Sequence, residues 1–207
     1  MRYRSAEILG DEKALDTLAK TMLFGPGRLS FDLLACRRVP APLPAVQVGP
    51  GSDLLVVENS DTYWVAVTQL KRHAGHCIGA VAWGSGNAFP SQVHTLTVDI
   101  AGLGPVRGTV WYWGDLDPAG LAIASDASRA SAQVDGPPIQ PATQLWSAML
   151  SRPLQDAGRI SWTDRVGREW LGDELWAAIT PVREAAARIA QESVPPQAIA
   201  TWAVSIA

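Results

Sequence analysis

The chain has 207 residues, of which 47% are hydrophobic and 18% charged, and a formal net charge of −3. That is enough material for one substantial core, and no uninterrupted apolar run of about eighteen residues offers a membrane span. The cations are scattered, with Arg37-Arg38 and Lys71-Arg72 the only doublets, so nucleic-acid phosphate feels no global attraction and DNA binding would need a local patch or a partner.

Met1-Arg-Tyr-Arg runs into Ser-Ala-Glu without the apolar h-region of a secretory signal, so the cytoplasm is the expected compartment. Cys36 and Cys77 stand far apart, without the spacing of a zinc site or a disulfide framework, and read as two reduced, buried thiols. Residues 7–23 place apolar positions at helical spacing and predict an amphipathic helix. Residues 38–53 are rich in Pro and Gly and predict an extended connector ending in a turn. LLVVEN at 54–59 is a short unbroken apolar run, the pattern of a strand covered on both faces, and 60–72 follows as a helix with Ser60 or Asp61 as N-cap. Residues 77–90 read as a second strand ending in a Gly-x-Gly turn. A helix is expected over about 90–100, against the strand preference of Val93, Thr95, Thr97 and Val98. Residues 108–128 supply a third strand, an acidic turn and a helix opened by Pro118. Beyond Asp135 come a Pro-rich loop, a helix near 142–151 and an Ala-rich helix over 181–192, with Trp162, Trp170 and Trp176 serving either the core or an interface.

Alternating strands and helices imply an α/β fold, a mostly parallel central sheet flanked by helices, with a helical C-terminal layer. The expected organisation is a lead-in and connector over 1–50, a core over 51–135 and a helical extension over 136–207, packed as one compact domain. In such sheets ligands bind at the carboxyl ends of the strands. Glu58, Gly84 to Gly86, and Asp115 with Asp117 all stand at such ends. Two like charges on alternate residues repel unless a cation or solvent lies between them, so WYWGDLDPAG at 111–120 points to a hard divalent cation, Mg²⁺ or Mn²⁺, held with Glu58. Ordinary turn chemistry remains the alternative for an isolated Asp-x-Asp. Lys13 could reach a phosphate or lie on a solvated helix face, and Ser85 and Gly86 could cradle a phosphate or merely make the turn. His73, His76 and His94 show no ligand geometry, and HAGH at 73–76 reads as surface polar groups of a helix-to-strand turn. Asp126 reads as a surface charge or a third metal-side group, and Trp111, Tyr112 and Trp113 as core rather than a base-stacking platform.

VVENSDTYWVAV, AVAWGSGNAFPSQV and YWGDLDPAGLAIA, in that order, resemble the Toprim core of the Wadjet JetD C-terminal family, which is related to the Toprim domain of the topoisomerase VI A subunit. GDEKALDTL at 10–18 and RIAQESVPPQAIATW at 188–202 are similar to the flanking segments. The resemblance implies a Toprim nuclease, with Glu58, Asp115 and Asp117 as metal ligands and catalytic groups at a phosphodiester of double-stranded, plasmid DNA. It also implies work beside SMC-like and kleisin subunits of an anti-plasmid defence complex, and leaves room for a homodimer. The rival expectation is a catalytically silent Toprim module that binds protein or DNA. The family resembles the topoisomerase subunit in carrying an N-terminal DNA-binding part, whereas Glu58 here comes early in the chain, as in a fragment or a reduced relative. Tyr3, Tyr63 and Tyr112 fall in the lead-in, a helix and a strand, so hydrolysis by water is expected rather than a covalent tyrosyl step.

Overall fold

A computed structural model describes residues 1–37, 41–156, 161–162 and 167–207. The chain divides into two compact units, Met1–Ala41 and Pro42–Ala207.

In the first unit the helix expected over 7–23 is broken in two, α1 (Arg2–Leu9) and α2 (Ala14–Leu18). Gly10 takes the left-handed conformation at φ 69° and its N–H donates to the Ala6 carbonyl, which closes α1. The Asp11 carboxylate accepts from the Lys13 N–H at 2.7 Å and starts the next turn. The Ser5 hydroxyl ties the pair together by donating to the Asp11 carbonyl at 2.5 Å and accepting from the Leu15 N–H at 3.0 Å. A local hydrogen-bond alternative has overridden the helical pattern.

The second unit is α/β. Its main sheet holds β1 (Ala45–Gln47), β2 (Asp53–Val57), β3 (Ile78–Trp83), β4 (Val110–Trp113) and β5 (Ile139–Pro141), in the spatial order β1-β3-β2-β4-β5. Among the described residues of this sheet only β1 runs antiparallel, against β3. The sheet is thus mostly parallel, with helices around it, consistent with a Toprim-like fold. The first three residues of the expected connector, 38–40, lie outside the described residues; the rest does more than connect, since Ala45–Gln47 pairs as an edge strand. Likewise the Pro-rich loop after Asp135 yields β5, where Pro141 is tolerated because an edge strand does not need every N–H.

Helix α3 (Ser60–Arg72) follows β2, and α5 (Pro118–Ala132) follows β4. From β2 the chain crosses to β3 on one side, then returns past β2 to β4 and continues to β5 on the other. Right-handed crossovers therefore place α3 and α5 on opposite faces. Between β3 and β4 the expected helix is only α4 (Phe89–Gln92) followed by a 3₁₀ segment, Val93–Thr97, where β-branched side chains crowd an α-helical turn. After β5 come α6 (Thr143–Met149), β6 (Gln155–Asp156), α7 (Arg168–Leu171), α8 (Asp173–Ala178), α9 (Thr180–Glu184), β7 (Ala187–Arg188) and α10 (Pro196–Ser205). The Ala-rich helix expected over 181–192 ends at Glu184. Ala186 has a positive φ of 48°, and the following residues pair instead, β7 with β6 and Ile189 with Leu116. Backbone pairing has outweighed alanine's helix preference.

The core residues Leu54 to Val57, Ile78, Val81, Val110 and Tyr112 have little or no exposure, as strands covered on both faces require. Alternation along β4 turns Tyr112 towards Phe89, stacked at 5.6 Å, and sets Trp111 edge-on to Trp202 at 6.0 Å. The Trp113 Nε1–H points to the Met149 sulfur at 3.2 Å. The later tryptophans belong to this packing rather than to a free surface. Trp162 and Trp170 donate to the Ala187 and Ile139 carbonyls, and Trp176 is buried beneath Arg183.

Candidate functional site

The strand order reverses between β2 and β4, which leaves a crevice at their carboxyl ends. Val57 is in register with Trp113, so Glu58 and Gly114 leave the sheet side by side. Glu58 Oε2 accepts from the Asp115 N–H at 3.2 Å and from the Tyr112 hydroxyl at 3.3 Å, while the Trp83 Nε1–H holds the Glu58 carbonyl at 3.0 Å. Two glycines make this approach feasible. A Cβ at residue 114 would stand 2.4 Å from Glu58 Oε2, and one at residue 120 would stand 2.3 Å from the Asp115 carbonyl oxygen and 3.3 Å from Glu58 Oε2. The carboxylate therefore lies against Gly114 and Gly120, where there is no room for a side chain.

Asp115 Oδ1 accepts from the Gln191 N–H at 2.9 Å and from Asn59 Nδ2 at 3.2 Å, and Oδ2 faces Arg188 Nη1 at 3.9 Å. Asn59 occupies the N-cap position of α3, displacing the expected Ser60 or Asp61, yet its side chain is spent on Asp115 rather than on the helix. Asp117 is buried and caps α5, its Oδ1 accepting from the Gly120 N–H at 2.8 Å, with Pro118 at the first helical position. Gln191, fully buried, donates to the Trp113 carbonyl at 2.7 Å and accepts from the Asn59 N–H at 3.3 Å, which pins the two strand ends together.

Burial first, and then the charges of Asp115 and Asp117, push the Glu58 carboxyl up from 4.5 to about 7 against the opposing Asp115 N–H and Tyr112 hydrogen bonds. Burial and Asp115 also raise Asp117, partly offset by the Gly120 and Ala119 N–H groups and by Arg188. Burial first, and then Glu58 and the same carboxylates, push the Tyr112 hydroxyl well above its ordinary pKa, so it stays protonated and serves Glu58 as a hydrogen-bond donor.

Among the described residues no three His, Cys, Asp or Glu side chains form a ready-made metal cluster. Glu58 and the Asp115–Asp117 turn offer carboxylate oxygens, which suit Mg²⁺ or Mn²⁺, and the Asp115 and Asp117 charges that, after burial, raise Glu58 are ones such an ion would relieve. The residues fit a hard cation in chemistry.

Of the other residues singled out above, Gly86 approaches this group: a Cβ there would lie 3.8 Å from Glu58 Oε1, and its φ is 56°. Ser85 precedes it, exposed and also left-handed at φ 50°. Lys13 is exposed in the first unit, at the start of α2. Asp126 pairs with Arg129 on the surface of α5. His73 and His94 are exposed, but His76 is not the surface group expected: it is buried, with Nε2 against the Leu70 carbonyl at 3.0 Å. Tyr112, Asn59, Arg188 and Gln191 escaped the sequence reading. Asn59 follows Glu58 directly and Tyr112 lies within the quoted β4 run, but nothing in the spacing tied Arg188 or Gln191 to Asp115.

A profile of the family described as Wadjet protein JetD, C-terminal, matches residues 31–203. No curated protein matches the chain.

Proposed function

The chain belongs to the Wadjet JetD C-terminal family, and we propose that it is a divalent-metal-dependent endonuclease of Toprim type. It cleaves double-stranded DNA, plasmid DNA in particular, as the nuclease part of a defence complex with SMC-like and kleisin subunits. The observation that carries this reading is the meeting of Glu58 with the Asp115-Leu116-Asp117 turn at the β2/β4 crevice. Glu58, Asp115 and Asp117 would hold Mg²⁺ or Mn²⁺, which activates water and offsets charge developing on the phosphodiester. The chain's own groups set the stage. Tyr112 orients the Glu58 carboxylate, Asn59 and Gln191 orient that of Asp115, and capping fixes Asp117 to the start of α5. Among the described residues no helix is long and apolar enough to cross a membrane, and the proposed place of action is the cytoplasm.

One observation favours a second reading, the catalytically silent module: Arg188 already faces Asp115 and contributes positive charge at the acidic turn. Supercoiled plasmid separates the two. On the nuclease reading the purified chain cuts it in Mg²⁺ or Mn²⁺, Glu58→Gln and Asp115→Asn lose cleavage by orders of magnitude, and Asp126→Asn retains it. Absence of cutting, together with no heat of Mg²⁺ or Mn²⁺ binding in calorimetry, favours the silent module. Equal cutting by wild type and Asp115→Asn overturns the assignment of this turn.

A further inference from the structure

Arg188 reaches the acidic turn because the backbone brings it there. Leu116 and Ile189 exchange hydrogen bonds, Leu116 N–H to the Ile189 carbonyl at 2.9 Å and Ile189 N–H to the Leu116 carbonyl at 3.2 Å, and both side chains are fully buried. On the other side of Arg188, the Ala187 carbonyl is held by Trp162 Nε1 at 2.8 Å and the β6–β7 pairing braces the segment. The guanidinium is thus carried on a fixed ribbon beside Asp115 and Asp117. Its distance of 3.9 Å from Asp115 Oδ2 is an ion-pair separation beyond hydrogen-bond reach, and its side chain is 39% exposed. The donors of the fork are not consumed by Asp115 and remain open towards solvent at the mouth of the crevice.

We propose that Arg188 is a substrate-binding residue that grips a backbone phosphate of the DNA strand presented to Glu58, Asp115 and Asp117. The inference rests on the DNA-cleavage reading above. A chain with net charge −3 and a carboxylate cluster repels a phosphodiester at the place where it must be held. A planar guanidinium with several donors in a fixed fork matches two phosphate oxygens at once, which an ammonium does not. Asp115 keeps the fork loosely aimed in the free protein, and the rigid ribbon limits the ordering cost when phosphate arrives.

The test is fluorescence anisotropy of a short labelled duplex with the full chain in EDTA, titrated over a series of KCl concentrations, for wild type, Arg188→Gln and Arg188→Lys. Arg188→Gln is expected to weaken binding about tenfold at low salt and to lower the slope of log K against log[KCl] by about 0.9, the signature of one lost phosphate contact. Arg188→Lys keeps the slope but loses part of the affinity, which preserves the test if the Gln variant folds poorly. A wild-type slope and affinity in a folded Arg188→Gln protein overturns the proposal, and so does full affinity in Arg188→Lys. Plasmid cleavage by wild type, run in parallel in Mn²⁺, distinguishes the failures. Binding that depends on Arg188 without cutting sinks the nuclease reading and leaves the phosphate contact standing, whereas cutting with an unaltered Arg188→Gln slope does the reverse. No wild-type binding even at low salt overturns the phosphate contact, and the nuclease reading then stands or falls on the cleavage assay alone.

Discussion

Replacing Glu58 by Gln should stabilise the metal-free protein at pH 8 and do little at acid pH. In the folded chain this carboxyl titrates near 7 rather than 4.5, so between those values the folded state holds a proton that the unfolded state has released. Stability therefore falls as pH rises from 4.5 to 7, and the deficit is complete above 7. At about 1.4 kcal/mol per unit the displacement corresponds to roughly 3 kcal/mol, and solvent at the half-buried carboxylate reduces the expected value to about 2 kcal/mol. Gln resembles the protonated form and escapes the deficit. Urea denaturation in EDTA at steps from pH 5 to pH 8 should show wild type losing stability relative to Glu58→Gln by about 2 kcal/mol, or roughly 4–8 °C in Tm for a domain of this size. Mg²⁺ should restore most of the loss in wild type and leave the variant unmoved, because a bound cation favours the ionised carboxylate. Wild-type and variant curves that stay parallel across the whole range would refute the reasoning, since they would mean that Glu58 feels neither burial nor its acidic neighbours.

Asp117 has two roles that substitution can separate. Asp117→Ala should cost about 1 kcal/mol through loss of the α5 cap, whereas Asp117→Asn keeps the cap and most of the stability; both should lose plasmid cleavage, and equal denaturation midpoints for the two would contradict the capping role. Gly114→Ala meets no left-handed φ but drives a methyl against Glu58 and Tyr112, so a loss of about 1–3 kcal/mol and at least tenfold slower cleavage are expected from denaturation and plasmid assays. Gln191→Leu leaves the Trp113 carbonyl and the Asn59 N–H without their partner, and urea denaturation should register a loss of about 2–3 kcal/mol; a change under about 0.5 kcal/mol would show that the buried amide is not what joins the strand ends.

Much of the site could be read along the chain because its acidic members sit where periodicity changes. LLVV ends in Glu58 and VWYW ends in Gly114 and Asp115, so the boundaries of two buried strands mark their carboxyl ends in the sequence itself. The residues that orient those carboxylates left no such mark. Gln191 and Arg188 lie 76 and 73 positions after Asp115 in a stretch whose alanines favour helix, and only pairing of Ile189 with Leu116 reveals them.

Apolar patterning by itself determined the three core strands, the helices that follow β2 and β4, and the presence of an acidic turn, since burial on both faces of a parallel sheet demands continuous hydrophobic runs. Tertiary structure decided the rest: the edge strands β1 and β5 within Pro-rich segments, the break at Gly10, the exchange of an Ala-rich helix for β7, and the burial of His76. For β1, β5 and β7 backbone groups gained partners distant in sequence, and at Gly10 a local cap, and those hydrogen bonds outweighed propensities worth only a few tenths of a kcal/mol per residue.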